Sequence, residues 1–353
     1  MGIMSKTSSG NFFEDFTVGR VLRHATPRTV TAADSALYTA LYGSRFAVQS
    51  STAFARAIGY ETAPIDDLLV FHLVFGKTVP DISLNAVANL GYADCRFLRP
   101  VFPGASLCAV SEVIGVRENS NGKTGVVYVR SKGYTEDDEC VLNYVRWVMV
   151  RKRDPASPAP TPVLPDLDAV VAAETLGDAL PALDATAWDD ALAGAPYRWG
   201  DYAIGERIDH VDGMTIEEAE HQMATRSYQN TAKVHFNQFT ESKGRFGRRL
   251  IYGGHVISLA RALSFNGLQN AFHIAAINGG RHVAPCFAGD TVFAWSQVLD
   301  KAELPGRDDC AALRLRLVAT KNRPCADFPD RDAEGKDDPD VILDLDYWAV
   351  MPK

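Results

Sequence analysis

The chain is read as an α+β protein in which one unit is written twice, each unit an antiparallel sheet wrapped around a mostly apolar helix. Three observations predict it: an internal repeat at a nearly constant offset, a helix led by Gly253-Gly254 that is apolar almost all round, and strand-like runs that close each half.

The repeat comes first because it sets the boundaries. Phe13-Glu14-Asp15-Phe16-Thr17-Val18-Gly19-Arg20 returns as Trp199-Gly200-Asp201-Tyr202-Ala203-Ile204-Gly205-Glu206, 186 residues later. The same offset matches Thr29-Val30 to Thr215-Ile216, Tyr42 to Tyr228, Ser44 to Asn230 and Gln49 to His235. Further on, with small loop gaps, Phe71-His72-Leu73-Val74 stands opposite Gly254-His255-Val256-Ile257. Arg96-Phe97-Leu98-Arg99-Pro100-Val101-Phe102-Pro103-Gly104 stands opposite Arg281-His282-Val283-Ala284-Pro285-Cys286-Phe287-Ala288-Gly289, and Gly104 and Gly289 read as turn glycines. Residues 1–153 therefore form one unit and 199–353 the other.

The helix is the centre of each unit. In the second copy Val256, Leu259, Ala260 and Leu263 cover one side and Ile257 and Ala262 much of the other, so something must wrap it. The strands supply the wrapping: Val126 to Lys132 and Val141 to Val150 in the first copy, Leu313 to Ala319 and Val341 to Val350 in the second. Leu313-Arg314-Leu315-Arg316-Leu317 alternates as a strand with one wet face should. Between the units, 154–198 opens on a proline-dense run and reads as an extended spacer, with short helices expected at Leu167 to Glu174 and Trp188 to Leu192. The acidic run Asp327 to Asp340 reads as a solvated loop, since its carboxylates lack the spacing of a calcium loop.

Bulk properties narrow the function. A net charge of -8 argues against a nucleic-acid surface. The six cysteines are scattered without a C-x-x-C pair, which points to reduced thiols and away from a zinc site. No run of eighteen uncharged apolar residues calls for a membrane, and Met1-Gly2 with Thr7 is only a weak echo of an acylation signal, so a cytoplasmic location is expected. No G-x-G-x-x-G or Walker loop precedes a helix, which excludes the common nucleotide-cofactor enzymes.

The chemistry concentrates in Tyr228-Gln229-Asn230-Thr231-Ala232-Lys233-Val234-His235 and the following Ile251-Tyr252-Gly253-Gly254-His255. Here the second half resembles the MaoC-like, (R)-specific enoyl-CoA hydratases, whose signature is G-D-x-N-P-x-H. The match is at His235, with Asn230 standing where the family has its aspartate. The Arg96–Gly104 run, and its second copy completed by Asp290, is similar to that family's R-F-x-x-P-V-x-P-G-D strand and turn. At closer range Tyr228 to Asn237 and Tyr252-Gly253-Gly254-His255 look like the mesaconyl-CoA (2-methylfumaryl-CoA) hydratases, also called β-methylmalyl-CoA dehydratases. The resemblance implies a double hot-dog fold and reversible hydration of a branched, dicarboxylic enoyl-CoA. It calls for no cofactor, coenzyme A being part of the substrate.

Such a reaction needs a base for water, a donor for the enolate oxygen and a proton for Cα. By the resemblance His235 is the base and the Gly254 amide at a helix start holds the thioester oxygen; Asn230, an amide where the family has its aspartate, is read from its own chemistry as orienting water or thioester. Because an amide transfers no proton, Glu217, Glu220 and Asp290 are candidates for the missing acid. Tyr252, Gly253 and Gln49 line the substrate, Gln49 marking a first-copy site reshaped for the acyl-CoA. A free carboxylate needs a cation, for which Lys233, Arg281, Arg249 and Arg226 are candidates. His72 and His255, each near a helix start, read as hydrogen-bonded core residues. Two other functions stay open: a hot-dog acyl-CoA thioesterase, and a non-catalytic acyl-CoA-binding protein. Two fused copies supply internally what single hot-dog proteins obtain by pairing, and a further homodimer is a remaining option.

Overall fold

The computed structural model describes residues 6–353, and the Met1-Gly2 start lies outside them. Ten strands form one antiparallel sheet. They are β1 (Val21–Thr29), β2 (Ala86–Phe97), β3 (Ser106–Glu118), β4 (Thr124–Tyr134), β5 (Cys140–Arg151), β6 (Arg207–Thr215), β7 (His273–His282), β8 (Thr291–Glu303), β9 (Cys310–Lys321) and β10 (Val341–Pro352). Their order, β1-β3-β4-β5-β2-β7-β10-β9-β8-β6, reads the same from either end once the copies are matched. The two expected sheets are thus joined edge to edge, with Tyr92 opposite Gly280 and Cys95 opposite Ile277, which leaves neither β2 nor β7 as an open edge.

The helices are α1 (Ala32–Tyr42), α2 (Ala47–Ser50), α3 (Thr52–Ala57), α4 (Asp67–Ile82), α5 (Asp190–Ala193), α6 (Glu218–Ser227), α7 (Lys233–Phe236), α8 (Gln238–Glu241) and α9 (Gly253–Leu263). Two of them, α4 and α9, are the wrapped ones. Every residue from Leu68 to Val79 and from Gly254 to Leu263 is buried, as their apolar circumference requires. Residues of both helices and both halves share one core. This is a double hot-dog.

The internal repeat survives in the hydrogen bonds. His24 Nε2 meets Ser111 Oγ at 2.8 Å, and its counterpart His210 Nε2 meets Ser296 Oγ at 2.8 Å. The matched pair Tyr42 and Tyr228 bond to each other through their hydroxyls at 2.8 Å, which places them where the two copies meet. Gly104 and Gly289, both at positive φ, return their N–H groups to Val30 and Ile216 at 2.7 and 2.9 Å. Only a residue without Cβ takes that turn freely.

Two segments differ from expectation. The spacer is not a bare tether: Val171, Leu176, Leu180 and Trp188 are buried against Phe54 of α3, Phe272 and the sheet. Of the expected helices, the first shrinks to a single turn at Ala173–Thr175 and the second starts at Asp190, where the Asp189 side chain caps the Leu192 N–H. The acidic run is likewise no free loop. Asp330 and Asp337 pair with Arg316 and Arg281 of the sheet face, and Asp337 and Asp338 with Arg331 and Arg323 of the same connection.

Candidate active site

The Gln229–His235 loop is held by the other half of the chain. An added Cβ at Gly76 of α4 would stand 1.8 Å from the Tyr228 carbonyl oxygen, so that helix approaches the loop as closely as a backbone can. The next residue, Lys77, reaches from the core to Gln229 Oε1 at 3.2 Å, and Gln229 itself sits at φ +55°. Asn230 is buried, and its Oδ1 accepts the Ala232 N–H at 3.1 Å, which leaves its NH2 as the end available to a ligand.

His235 follows on α7, half-buried. Its Nδ1 lies 3.0 Å from the Leu250 carbonyl, which can only accept, so Nδ1 carries the proton and Nε2 presents a lone pair. Burial lowers its pKa to about 4, opposed only by that carbonyl, and the ring is neutral at physiological pH. Its neighbours are rings: Tyr252 at 5.5 Å and His221, edge-on, at 6.2 Å between centroids.

The start of α9 is the second part of the site. Gly253 and Gly254 are its first residues, so their N–H groups have no acceptor within the helix. Neither tolerates a side chain. A Cβ at Gly254 would meet the Tyr252 ring at 2.4 Å and His72 at 2.6 Å, and one at Gly253 would meet the His282 ring at 2.3 Å. The Tyr252 N–H, ahead of the helix, donates to His221 Nε2 at 2.9 Å, which fixes the entry angle of the chain.

At this point the comparisons decide the family. The model of the mesaconyl-CoA hydratase family matches residues 4–328. The chain belongs to that family. It is 63% identical to a β-methylmalyl-CoA dehydratase of Chloroflexus aurantiacus, over 99% of each chain. It is 61% identical to a mesaconyl-CoA hydratase of Cereibacter sphaeroides, over 99% of this chain and 100% of that one. A solved structure from Chloroflexus aurantiacus, described as a putative MaoC domain protein dehydratase, superposes with a TM-score of 0.96 at 63% identity over 99% of each chain.

Within this family member the residues singled out from sequence divide. His235, Tyr252, Gly253 and Gly254 come together, Asn230 is buried in the loop that leads to His235, and Lys233 lies on the exposed face of α7 two residues from His235. Arg281 does not join them. It bonds Asp337 at 2.8 and 3.2 Å and points away from the site, because its neighbour His282 takes the inner face of β7. Arg249 pairs with Glu218 at 2.7 Å, and Arg226 bends back along its own helix to donate to the Gln222 carbonyl at 3.4 Å. The proposed acids are elsewhere too: Glu217 and Glu220 are exposed, and Asp290 holds the Phe287 N–H in its turn. Gln49 donates to the Phe272 carbonyl at 2.7 Å, outside the cluster.

His72 and His255 are core residues as read. His72 Nε2 meets Ser258 Oγ at 2.8 Å and His255 Nδ1 meets Tyr42 Oη at 2.9 Å, and burial drives both to a pKa of about 3. Three residues escaped the sequence reading: His221, His282 and, from the first copy, Tyr92, whose hydroxyl lies 3.3 Å from His282 Nε2. The signal for His282 was present, since the repeat sets it opposite Phe97.

Proposed function

We propose that this site adds water reversibly across the double bond of a branched, dicarboxylic enoyl-CoA, interconverting mesaconyl-CoA and β-methylmalyl-CoA as a hydro-lyase. The observation that carries the reading is a neutral His235, its Nε2 lone pair turned away from the Leu250 carbonyl, packed against the Tyr252 ring that leads into the Gly253-Gly254 amide end of α9.

In the forward direction His235 Nε2 takes a proton as water attacks Cβ, and the π electrons move onto the thioester oxygen. The Gly254 amide stabilises that enolate oxygen, with the helix dipole behind it. Enolate collapse then draws a proton to Cα, returned by the histidinium that has just formed. Asn230 needs no proton of its own in this scheme: its NH2 orients water or thioester. Water addition to an alkene already activated by a thioester calls on no cofactor, and coenzyme A arrives with the substrate.

Cation-over-aromatic pairs on the segment after His235 offer a seat for the nucleotide end. Lys243 lies 4.1 Å from the Phe239 ring centre and Arg248 3.9 Å from that of Phe287, on a face that includes the exposed Phe246. The first copy supplies Gly76, Lys77 and Tyr92 to the site, so one chain completes it, and a homodimer would serve stability rather than chemistry. No helix among the described residues is long and apolar enough to cross a membrane, and six unpaired cysteines favour the cytoplasm.

The test is the ultraviolet absorbance of mesaconyl-CoA mixed with the protein, with a thiol reagent present. Loss of the enoyl band without thiol release is the expected result, whereas thiol release would make the protein a thioesterase.

A further inference from the structure

A dicarboxylic acyl group places strict demands on this site, and none of the cations picked out from sequence meets them inside it. In a 2-methylbutenedioyl thioester the carbon that receives water also bears the free carboxylate, so whatever recognises that carboxylate must lie beside the base. Arg281 and Arg249 are spent on acidic partners, and Lys233 stands on the outer face of α7.

His282 is placed where the demand falls. Its ring packs against Gly253 at the start of α9, directly after Tyr252, whose ring centre lies 5.5 Å from that of His235. The hydroxyl of Tyr92, 3.3 Å from His282 Nε2, adds a second donor from the opposite half. The internal repeat marks the pair as a departure. Where the first copy has Arg96-Phe97 the second has Arg281-His282, so a polar ring replaces an apolar one in the copy that also gained His235.

Behind Tyr92 lies a second, independent oddity. Arg146, its cross-strand partner on β5, is fully buried and pairs with no carboxylate among the described residues. Its guanidinium leans on neutral groups only: Thr78 Oγ1 at 2.8 Å, Ser83 Oγ at 3.3 Å and the face of Phe75 at 4.2 Å, while Nε has no acceptor. A buried cation without a counter-ion destabilises the empty protein and favours any anion brought close to it.

We propose that His282 and Tyr92 bind the free carboxylate of the acyl group, with Arg146 behind Tyr92 supplying the positive potential. The assignment rests on the hydratase reading above. It makes this trio the selector for dicarboxylic over monocarboxylic substrates.

The experiment compares mesaconyl-CoA with (E)-2-methylcrotonyl-CoA, in which a methyl group replaces the carboxylate, for the wild type, His282→Phe and Tyr92→Phe. His282→Phe restores the first copy's own residue, and Tyr92→Phe removes one oxygen. The ratio of kcat/KM between the two thioesters is expected to fall about 10- to 100-fold in His282→Phe, the range of a charge-assisted hydrogen bond, and about 5-fold in Tyr92→Phe. Equal loss on both thioesters by folded His282→Phe and by His282→Gln would overturn the assignment and make His282 a general catalytic or packing residue. An unchanged ratio in both His282→Phe and Tyr92→Phe would overturn it as well. A wild type that hydrates neither thioester would remove the hydratase reading itself, and the assignment with it.

Discussion

In the second copy His235 keeps a free ring nitrogen near the amide end of α9, whereas at the matching place in the first copy Gln49 spends its NH2 on the Phe272 carbonyl. The same contrast holds at the helix starts. Gly253 and Gly254 open α9 with no acceptor for their N–H groups inside the helix, while the equivalent Val70 lies within α4, its N–H already given to the Asp66 carbonyl at 3.1 Å. Around Gln49 the ground is filled by Phe54, Trp188 and the buried residues of the spacer. One scaffold therefore carries two fates, separated by a few positions. The first copy has no histidine at the matching position, and it shapes the second copy's loop through Gly76 and Lys77.

The largest effect should come from giving the second copy the first copy's residue. His235→Gln should lower kcat by about 10²- to 10⁴-fold, the share of a general base, with little change in the far-ultraviolet circular dichroism. Gly254→Ala should cost about 10²-fold, because the new Cβ must push Tyr252 or His72 aside and shift the amide that holds the enolate oxygen. That variant should also melt earlier, which separates it from His235→Gln. Lys77→Met tests the support given by the first copy. Losing the contact to Gln229 should reduce kcat about tenfold and leave the KM for the coenzyme A ester within about threefold, since the loop shifts but the nucleotide seat does not.

Acid separates the catalytic role of His235 from the stability of the fold by titration. His235, at about 4, stays neutral and competent as a base down to about pH 5, so kcat/KM should be flat from pH 8 to 5 and fall below that. Stability should fail sooner. Burial holds His72 and His255 at about 3, His221 at about 2 and His210 at about 4, all below the ordinary 6.5. As pH drops through 6.5 the unfolded chain binds protons that the folded chain refuses. The stability they confer is therefore complete above that value and drains as pH falls towards the folded values, by about 1.4 kcal/mol per pH unit for each histidine. Thermal melts should fall between pH 7 and pH 5, while initial rates on the still-folded protein hold.

Much of this was legible in the chain. The matched Tyr42 and Tyr228, and the paired turns at Gly104 and Gly289, lie where the repeat put them, because each copy solves the same packing problem. The alternation of Leu313 to Leu317 marks a strand, its leucines buried and its arginines paired with Asp346 and Asp344 of the neighbouring β10. What remained hidden depends on direction across a sheet. Arg281 and His282 are neighbours in sequence, yet a strand sends them to opposite faces, and the attractive cation went outward with Asp337 while the overlooked imidazole went inward. Tyr92 could not be found from its own copy at all, since only the β2–β7 pairing brings it across. The exposed Glu217 and Glu220 show the reverse error, in which closeness to a motif in sequence was taken for closeness in space.

One working site, with His235 as its base, is what the proposed hydration requires. The most direct measurement is the mass of the products formed from mesaconyl-CoA in deuterated water enriched in ¹⁸O, by the wild type and by His235→Gln. The account predicts an intact coenzyme A ester carrying one ¹⁸O and one carbon-bound deuterium, formed at least about 100-fold more slowly by the variant. Free coenzyme A with the ¹⁸O in a released mesaconate carboxylate, or equal rates from both proteins, would contradict it.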